Sequence, residues 1–314
     1  MADRLKGKVA IVTGAGRGIG RGEALLLAEV GAAVVVNDLG GSTAGEGASQ
    51  SPADEVVAEI ERKGGRAVAN YDNVAEMAGG ENMVKQALDS FGRLDIVVAN
   101  AGILRDRMVF NMSEAEWDAV IAVHLKGHFA VTKAASVVFR QQRSGRIVMT
   151  SSESGLGNMG QANYSAAKEG IVGFMRTVAR DLGRYGGTVN AIRPRAASRM
   201  TLSDEMKAAA EKTRAAGNAT ASTDVVSQLE RLQPEYVAPL VVYLCTDAAA
   251  NVNGRNFLVG GPTIGLFSEP EVMRQIYNPR GFWTLDELDQ IMPQAITQGL
   301  RNEFGPKPAA PVAS

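Results

Sequence analysis

A glycine-rich turn between an apolar run and a helical pattern is the feature that most constrains the fold of this chain. The run Val9–Thr13 is short and rich in β-branched residues, which is typical of a strand buried on both faces. It leads into the turn Gly14–Gly20, and Glu23–Val30 then has the apolar spacing of a helix. Glycines let a backbone approach a pyrophosphate closely, and a helix N-terminus offers N–H donors. This order of elements predicts a dinucleotide-binding turn.

The next strand argues against the alternative, an ordinary glycine-rich turn. Ala33–Asn37 follows at the distance expected of a parallel neighbour and leads directly to Asp38. A carboxylate at this position can accept hydrogen bonds from both hydroxyls of an adenosine ribose and repels a 2′-phosphate, so we expect NAD rather than NADP. Arg17, inside the glycine turn, points in the opposite direction because it could pair with a 2′-phosphate.

Strands and helices alternate along the rest of the chain. Further strands are predicted at 66–71, 94–99, 146–150, 188–192 and 256–259, with helices at 53–63, 81–91 and 234–245, a long helix opened by a capping box at 113–116, and a helix starting near residue 164. This alternation predicts an α/β fold with a doubly wound parallel sheet, the Rossmann fold, in a single domain with a C-terminal extension.

Three less regular segments complete this organisation. The loop at 40–52 either folds over the adenosine side of a cofactor or is a mobile surface insertion. The polar, alanine-rich segment at 195–233 follows a strand end at the carboxyl edge of the sheet, which is where a substrate lid is expected. We assign 1–265 to the Rossmann-fold domain and 266–314 to the extension, with a helix at 285–292 and a disordered tail.

Composition excludes several other classes of function. The net charge is −1, so no basic field is available for nucleic acid or an anionic membrane. The single cysteine, Cys245, cannot form an internal disulfide and fits a reducing compartment. With two histidines, no multi-histidine metal site is expected, and no apolar segment reaches the roughly 20 residues of a membrane span. We therefore expect a soluble cytoplasmic protein with a small-molecule substrate and no metal.

Tyr164 and Lys168 are one helical turn apart and should share a face of a helix. A lysine ammonium beside a phenol favours the phenolate, which would lower the tyrosine pKa from about 10 towards the range of a proton-transfer catalyst. Ser151 and Ser152 end the apolar run just upstream, so a hydroxyl, a phenol and an ammonium can meet at one substrate oxygen. Such a pair alone is common on solvated helix faces, and its meaning depends on the other motifs.

Taken together, the motifs resemble the short-chain dehydrogenase/reductase family. The resemblance covers residues 5 to about 262 and rests on Thr13-Gly-Ala-Gly-Arg-Gly-Ile-Gly20, Asn100-Ala-Gly102 and Tyr164-x-x-x-Lys168 in their usual order. Within the family, the chain is similar to the (3R)-hydroxyacyl-CoA dehydrogenase domain of the peroxisomal D-bifunctional proteins and to stand-alone bacterial relatives. The segments that carry this closer resemblance include Val36-Asn-Asp-Leu-Gly-Gly41, Val123-His-Leu-Lys-Gly127 and Gly160-Gln-Ala-Asn-Tyr-Ser-Ala-Ala-Lys168.

The resemblance implies catalytic roles for four residues. Tyr164 would be the general acid/base, and Lys168 would lower its pKa and hold the nicotinamide ribose. The usual spacing of the catalytic serine selects Ser151, whereas counting along the strand from Gly145 selects Ser152, and we choose Ser152 because strand geometry fixes which side chain emerges at the edge. His124 stands where the family usually has an asparagine, and it either holds a relay water or packs between helices.

The resemblance also implies the cofactor-binding residues. They are Gly14, Arg17, Gly18, Ile19, Gly20, Asp38, Asn73, Val74, Asn100, Tyr164, Lys168, Ala196, Ser198 and Arg199. One departure from the family lies in Ile192-Arg-Pro-Arg195, where relatives usually have small or neutral residues at the two arginine positions. These arginines either pair with a CoA phosphate or pyrophosphate, or are surface charges without a role.

The function that the resemblance implies is NAD-dependent oxidation of the secondary alcohol of a 3-hydroxyacyl-CoA, with a steroid-like acyl group as one candidate. The first alternative keeps this chemistry with a hydroxysteroid or another cyclic alcohol as substrate. The second is a non-catalytic NAD-binding protein, against which the Ser152, Tyr164 and Lys168 set argues. Family members usually pair through the helices that follow strands four and five, which implies a homodimer or homotetramer.

Overall fold

The computed structural model describes residues 3–197 and 232–305. Within these ranges eight strands form a single sheet in the order β3-β2-β1-β4-β5-β6-β7-β8. The strands are β1 Val9–Thr13, β2 Ala33–Asn37, β3 Arg66–Asn70, β4 Ile96–Ala99, β5 Gly145–Thr150, β6 Gly187–Pro194, β7 Asn256–Gly260 and β8 Thr263–Leu266. The helices are α1 Gly18–Glu29, α2 Ser51–Arg62, α3 Met77–Phe91, α4 Glu114–Ile121, α5 Gly127–Gln142, α6 Ala162–Gly183, α7 Ala238–Cys245 and α8 Leu285–Ile291.

The first seven strands are parallel, and β8 runs antiparallel to β7 at the edge. The predicted α/β fold with a doubly wound parallel sheet is therefore confirmed. The strand order reverses between β1 and β4, and ligands of such sheets bind in the crevice at the carboxyl ends of the strands at this switch point. The sequence did not predict β8, a short and exposed strand that becomes regular by pairing with β7.

Two apolar layers cover the two faces of the sheet. Successive strand residues point to opposite faces, so Ala10 and Val12 of β1 pack with α1, α2 and α7. Val9 and Ile11 pack on the other side with α3, α5 and α6. All five residues of β1 are buried, as expected of a strand covered by helices on both faces.

The predicted long helix after β4 is two helices separated by a π-helical turn. Its predicted capping box is present, since the Ser113 hydroxyl accepts a hydrogen bond from the Glu116 amide and the Glu116 carboxylate accepts one from the Ser113 amide. The turn Ala122–Lys126 then separates α4 from α5. π-helical turns inside helices are frequent at functional sites, and this one carries His124.

The chain divides into two compact units, Met1–Phe267 and Ser268–Ser314. The second unit contains α8, in agreement with the helix predicted at 285–292, and a capping box between Thr284 and Glu287 opens it. Within the described ranges, no helix is long and apolar enough to cross a membrane. Most of the predicted lid, including Ser198 and Arg199, and the predicted disordered tail lie outside the described residues.

Candidate active site

The glycine turn after β1 packs tightly against the end of β4. Gly14 has a φ of +64°, and a Cβ on it would lie 2.8 Å from the Cα of Ala101. A Cβ on Gly20 would lie 2.4 Å from the carbonyl oxygen of Gly14. Real Cβ atoms do not approach other atoms so closely, so the turn requires glycine at both positions.

The N-terminus of α1 points out of this turn. The helix begins at Gly18, which has a φ of +56° and faces open space. Its N-cap residue, Arg17, makes no side-chain capping bond to the first amides of the helix. These amides and the positive end of the helix dipole fit a pyrophosphate. Ile19, in the first turn, is half-buried and packs against the apolar layer beneath.

Asp38 lies at the end of β2, beside the glycine turn. Its carboxylate accepts hydrogen bonds from the amides of Gly16 at 2.8 Å and Gly40 at 2.7 Å. Backbone amides thus fix the orientation of the carboxylate at the end of β2, one strand away from the switch point. A rigid carboxylate in this position fits the hydroxyls of an adenosine ribose. Arg17, which argued for a 2′-phosphate, directs its guanidinium to the carbonyl oxygen of Gly41 at 3.5 Å.

The loop at 40–52 is attached to the segment that follows β4. The carbonyl oxygen of Thr43 accepts a hydrogen bond from the Leu104 amide at 2.9 Å. The carbonyl oxygen of Ala44 accepts one from Nε of Arg105 at 3.0 Å. A Cβ on Gly45 would lie 3.1 Å from the side chain of Ile103. The loop therefore spans from the β2 side of the crevice to the β4 side instead of standing free in solvent.

Asn100 joins the ends of β1 and β4. Its side-chain amide donates to the carbonyl oxygens of Thr13 at 3.1 Å and Gly14 at 3.2 Å, while the Thr13 hydroxyl accepts from the Asn100 amide at 3.0 Å. This network fixes the glycine turn relative to the crevice. The structure thus gives Asn100 a bracing contact in addition to the cofactor-binding role that the resemblance implies.

The remaining predicted cofactor residues lie at neighbouring strand ends. Asn73 and Val74 follow β3, where the Asn73 amide group bonds the Glu76 carboxylate at 3.1 Å. Val74 packs against α5, since a Cβ on Gly127 would lie 3.2 Å from it. Ala196 follows β6 and is buried. These positions are compatible with the adenine and carboxamide ends of a dinucleotide that crosses the strand ends.

Lys168 and Tyr164 lie in the first turns of α6, and both are desolvated. The Lys168 ammonium donates to the carbonyl oxygen of Thr150 at 2.6 Å and lies 5.4 Å from the centre of the Tyr164 ring. Burial lowers the pKa of Lys168 to about 7. Burial raises the pKa of Tyr164 to about 12, with a smaller increase from Asp106 and a decrease from the hydrogen bond with Ser152.

The prediction that Lys168 lowers the pKa of Tyr164 is therefore wrong for the protein without bound cofactor or substrate. A phenolate in a desolvated site loses its hydration, and that loss exceeds the attraction of a lysine whose nitrogen is held at the Thr150 carbonyl. At neutral pH the phenol keeps its proton. It is then ready to donate a proton to a carbonyl and must be deprotonated before it can accept one from an alcohol.

The two adjacent serines have different surroundings. The Ser151 hydroxyl is buried and donates to the carbonyl oxygen of Lys168 at 2.8 Å. The Ser152 hydroxyl accepts from the Ser154 amide at 3.1 Å and is hydrogen-bonded to Tyr164, where it lowers the phenol pKa. The structure thus brings Ser152, and not Ser151, to the tyrosine. The register of β5 against β6, in which Thr150 pairs with Ile192, decides which serine emerges.

His124 is fully buried in the π-helical turn. Its Nε2 lies 2.8 Å from the carbonyl oxygen and 3.0 Å from the amide nitrogen of Ile103, and its ring meets the Tyr164 ring edge-on at 5.1 Å. Gly102 is needed here, since a Cβ would lie 2.3 Å from Cε1 of His124. Burial, and to a smaller extent the charge of Lys168, hold the pKa of His124 well below its usual range. These contacts support the packing interpretation, with a neutral ring.

A second buried histidine was missed by the sequence analysis. Nδ1 of His128 lies 2.7 Å from the carbonyl oxygen of His124, one turn further along the helix. Burial lowers its pKa to about 3, so this ring is also neutral. The i, i+4 spacing of the two histidines was the available signal. In the described ranges, no group of three or more His, Cys, Asp or Glu side chains could hold a metal ion.

Comparison with known proteins identifies the family. Residues 8–212 match the model of the short chain dehydrogenase family. The peroxisomal multifunctional enzyme type 2 of Mus musculus is 51% identical over 83% of this chain, which spans 33% of the mouse protein. The hydroxyacyl-CoA dehydrogenase ChsB1 of Mycobacterium tuberculosis is 44% identical over 90% of this chain and 87% of its own length.

A solved structure agrees with these matches. The crystal structure of a short chain dehydrogenase from Mycobacterium avium is 41% identical and superimposes with a TM-score of 0.77, covering 93% of this chain and 95% of that one. The fold, the strand-end residues and the family match agree with one another. This chain therefore belongs to the short-chain dehydrogenase/reductase family and is an oxidoreductase that acts on CH–OH groups.

Proposed function

We propose that the protein oxidises the secondary alcohol of a 3-hydroxyacyl-CoA to the 3-ketoacyl-CoA with NAD. The observation that carries the proposal is the partly buried, desolvated phenol of Tyr164, hydrogen-bonded to Ser152 at the carboxyl edge of the sheet. The two relatives named above, a peroxisomal multifunctional enzyme and a hydroxyacyl-CoA dehydrogenase, support the acyl-CoA substrate.

Ser152 and Tyr164 carry out the proton transfer. The substrate hydroxyl binds between the Ser152 hydroxyl and the Tyr164 oxygen. After the phenol has lost its own proton, the substrate proton passes to the Tyr164 oxygen as the carbinol C–H bond breaks. Lys168 is held at the carbonyl of Thr150, 5.4 Å from the centre of the Tyr164 ring, and its attraction offsets only part of the desolvation of a phenolate. In the reverse direction the same phenol returns the proton to the carbonyl oxygen.

A nicotinamide dinucleotide supplies the hydride acceptor of this reaction. The residues fit such a group, because the uncapped N-terminus of α1 can bind the pyrophosphate and Asp38 can bind the adenosine ribose. Asp38 supports NAD over NADP, since a 2′-phosphate would meet a carboxylate that two backbone amides hold in place. Ser198 and Arg199 remain part of the proposed cofactor site as an expectation from the sequence.

A steroid-like acyl group is the finer part of the substrate proposal. The competing substrate is a hydroxysteroid or another cyclic alcohol without CoA, which would use the same Ser152 and Tyr164 chemistry. A non-catalytic NAD-binding role is the less favoured alternative, because a binding protein has no need for a desolvated phenol paired with a serine hydroxyl.

The proposal includes a homodimer or homotetramer formed through α5 and α6. Phe129 and Val137 of α5 are exposed by 42% and 51%. Phe129 meets Phe174 of α6 edge-on at 6.0 Å, so the two helices present one apolar surface. Light scattering of the wild-type protein and of Phe129→Asp tests this part, and a monomeric wild type would contradict it.

The experiment that tests the catalytic proposal is a substrate panel. The formation of reduced nicotinamide by the purified protein is measured with NAD and with NADP. The substrates are 3-hydroxyacyl-CoA esters of both configurations, steroid-bearing acyl-CoA esters and free hydroxysteroids. We expect turnover of acyl-CoA esters with NAD. Turnover of free hydroxysteroids alone would overturn the acyl-CoA proposal in favour of a steroid substrate. A clear preference for NADP would overturn the cofactor assignment.

Tyr164→Phe is the matching variant, with Tyr243→Phe as its control. Tyr243 lies on α7 and is 42% exposed, so removal of its hydroxyl leaves the site intact. Tyr164→Phe should lower the turnover rate by several orders of magnitude, because the proton acceptor is lost. NADH should still bind, because the other cofactor-binding residues are unchanged. Activity close to wild type in Tyr164→Phe would refute the assignment.

A further inference from the structure

An arginine is fully buried at the end of β6, directly below the catalytic serine. The side chain of Arg193 is 2% exposed, and its two terminal nitrogens are paired while its Nε has no hydrogen-bond partner within the described residues. Its Nη2 donates to Oε2 of Glu169 at 2.7 Å, and its Nη1 donates to the carbonyl oxygen of Ser152 at 2.7 Å. The ring of Phe267 lies against the guanidinium, 4.9 Å from its central carbon.

The turn that carries Ser152 rests on this ion pair. Glu153–Leu156 form a single 3-10 turn after Ser152, and the Gly155 amide donates to the Ser152 carbonyl at 3.1 Å. A Cβ on Gly155 would lie 2.8 Å from Oε2 of Glu169 and 3.2 Å from Nη1 of Arg193. The turn therefore packs directly against the ion pair, and a larger residue at position 155 would displace the Glu169 carboxylate.

Both sequence-based interpretations of Arg193 are therefore wrong. A phosphate cannot reach a guanidinium that is 2% exposed, and a side chain with this burial is not a surface charge. Arg195, its neighbour two residues along, differs: it is half exposed and forms a bidentate pair with Glu153 at 2.5 and 2.7 Å. The position of Arg193 in the strand brings it beneath Ser152, whereas Arg195 reaches the outer side of the same turn.

We infer that Arg193 is a positioning residue that orients the Ser152 hydroxyl towards Tyr164 by holding the Ser152 carbonyl. The inference rests on the proposed function, in which Ser152 binds the substrate oxygen. The Ser152 side chain and carbonyl belong to the same residue, so release of the carbonyl allows rotation of the hydroxyl away from the phenol. Glu169 follows Lys168 on α6, so the helix that carries the lysine and tyrosine also anchors the arginine.

Arg193→Met tests the inference, since methionine fills part of the space without donating hydrogen bonds. Glu169 is 41% exposed on its side chain, so its carboxylate is hydrated in this variant instead of being left buried and unpaired. We expect kcat to fall by roughly 10- to 100-fold with little change in the KM for NAD, because misplacement by about 1 Å costs about that much in rate. Arg255→Met is the control, an exposed arginine at the neighbouring strand β7.

A double-mutant comparison separates positioning from loss of structure. If Arg193 acts through Ser152, then Arg193→Met should cause no further loss of kcat in a Ser152→Ala background. A general weakening of the fold would lower the activity of both backgrounds equally. Additive losses therefore overturn the inference. Glu169→Gln, which removes the charge of the partner, should give a smaller loss of the same kind and replaces Arg193→Met if that variant does not fold.

Hydrogen–deuterium exchange supplies a readout that needs no substrate. Backbone amides in 152–157 should exchange faster in Arg193→Met than in wild type, whereas Arg255→Met should leave them unchanged. Unchanged exchange in 152–157 also overturns the inference. If the wild-type protein oxidises none of the alcohols in the panel, the proposed function fails, and exchange alone then decides whether Arg193 holds the turn.

Discussion

Glu23 is a carboxyl group buried within α1, and the stability of the protein should depend on its proton. It is fully buried, and neither carboxyl oxygen has a hydrogen-bond partner within the described residues. Burial raises its pKa from 4.5 to about 8. Burial raises the pKa of the Cys245 thiol, and the charge of Glu23 would raise it further, which places the two groups close together in the layer between α1 and α7. Glu23 should therefore be neutral in the folded protein at pH 7.

The sign of the effect follows from the two protonation states. Below about pH 4.5 the carboxyl is protonated in both the folded and the unfolded protein, so it has no effect on stability. Between pH 4.5 and about 8 the unfolded chain releases the proton and the folded protein keeps it, so the free energy of unfolding falls as pH rises. At about 1.4 kcal/mol per pH unit, the loss reaches about 3 kcal/mol at pH 7 and on the order of 5 kcal/mol above pH 8.

Glu23→Gln removes this dependence, because an amide is neutral at every pH. We expect the variant and the wild type to be about equally stable at pH 4.5, and the variant to gain about 3 kcal/mol at pH 7. The measurement is urea denaturation of both proteins at equal concentration from pH 4.5 to 8.5, and the difference between them cancels the contributions of other groups. Glu29→Gln is the control, since Glu29 is an exposed carboxyl on the same helix.

The outcome that refutes the reasoning is a difference in stability that does not change with pH. A constant difference would mean that Glu23 is ionised in the folded protein and that some partner stabilises its charge. A pH dependence of similar size in Glu29→Gln would show that the effect belongs to the helix and not to the buried site.

Three further predictions concern the catalytic site. Ser152→Ala should lower kcat by about 100-fold or more with an unchanged melting temperature. Ser151→Ala should instead lower the free energy of unfolding by about 1 to 2 kcal/mol, because the hydrogen bond to the Lys168 carbonyl is lost. The reverse pattern would show that Ser151 is the catalytic serine. Asp38→Ser should increase the kcat/KM ratio of NADP to NAD by at least about tenfold, and an unchanged ratio would remove Asp38 from cofactor selection. Because the pKa of Tyr164 is raised to about 12, the rate of alcohol oxidation should increase from pH 7 to 10, and a flat profile of the chemical step would show that the phenol is not the base.

Much of the fold could be predicted because its central strands are buried on both faces. β1, β2 and β4 are short apolar runs that are buried throughout, so their composition reflects the environment that they occupy in the folded protein. The break between α4 and α5 could not be predicted in the same way. It occurs where His124 packs against Gly102 and Ile103, and these residues are distant in sequence. The helical pattern continues through that position.

The site residues also differ in whether local sequence or distant contacts determine their positions. The strand count placed Ser152 at the edge because the register of neighbouring strands fixes side-chain direction. The contacts of Arg193 depend on Glu169 and on the turn after Ser152, which only the folded chain brings together. Glu23 had a signal that sequence analysis overlooked. It stands one helical turn before Leu27, on the face that packs against the sheet, where a carboxylate is not expected.

The pair Tyr164 and Lys168 shows why spacing alone gives an incomplete answer. Spacing predicts the attraction between an ammonium and a phenolate, but it says nothing about the hydration that both groups lose. In the folded chain that loss dominates. Burial raises the pKa of Tyr164 and lowers the pKa of Lys168, and both shifts favour the neutral form of the group. The hydrogen bond with the Ser152 hydroxyl acts in the opposite direction and lowers the pKa of Tyr164. In the proposed reaction, proton transfer by Tyr164 then depends on a substrate hydroxyl that Ser152 positions beside the phenol.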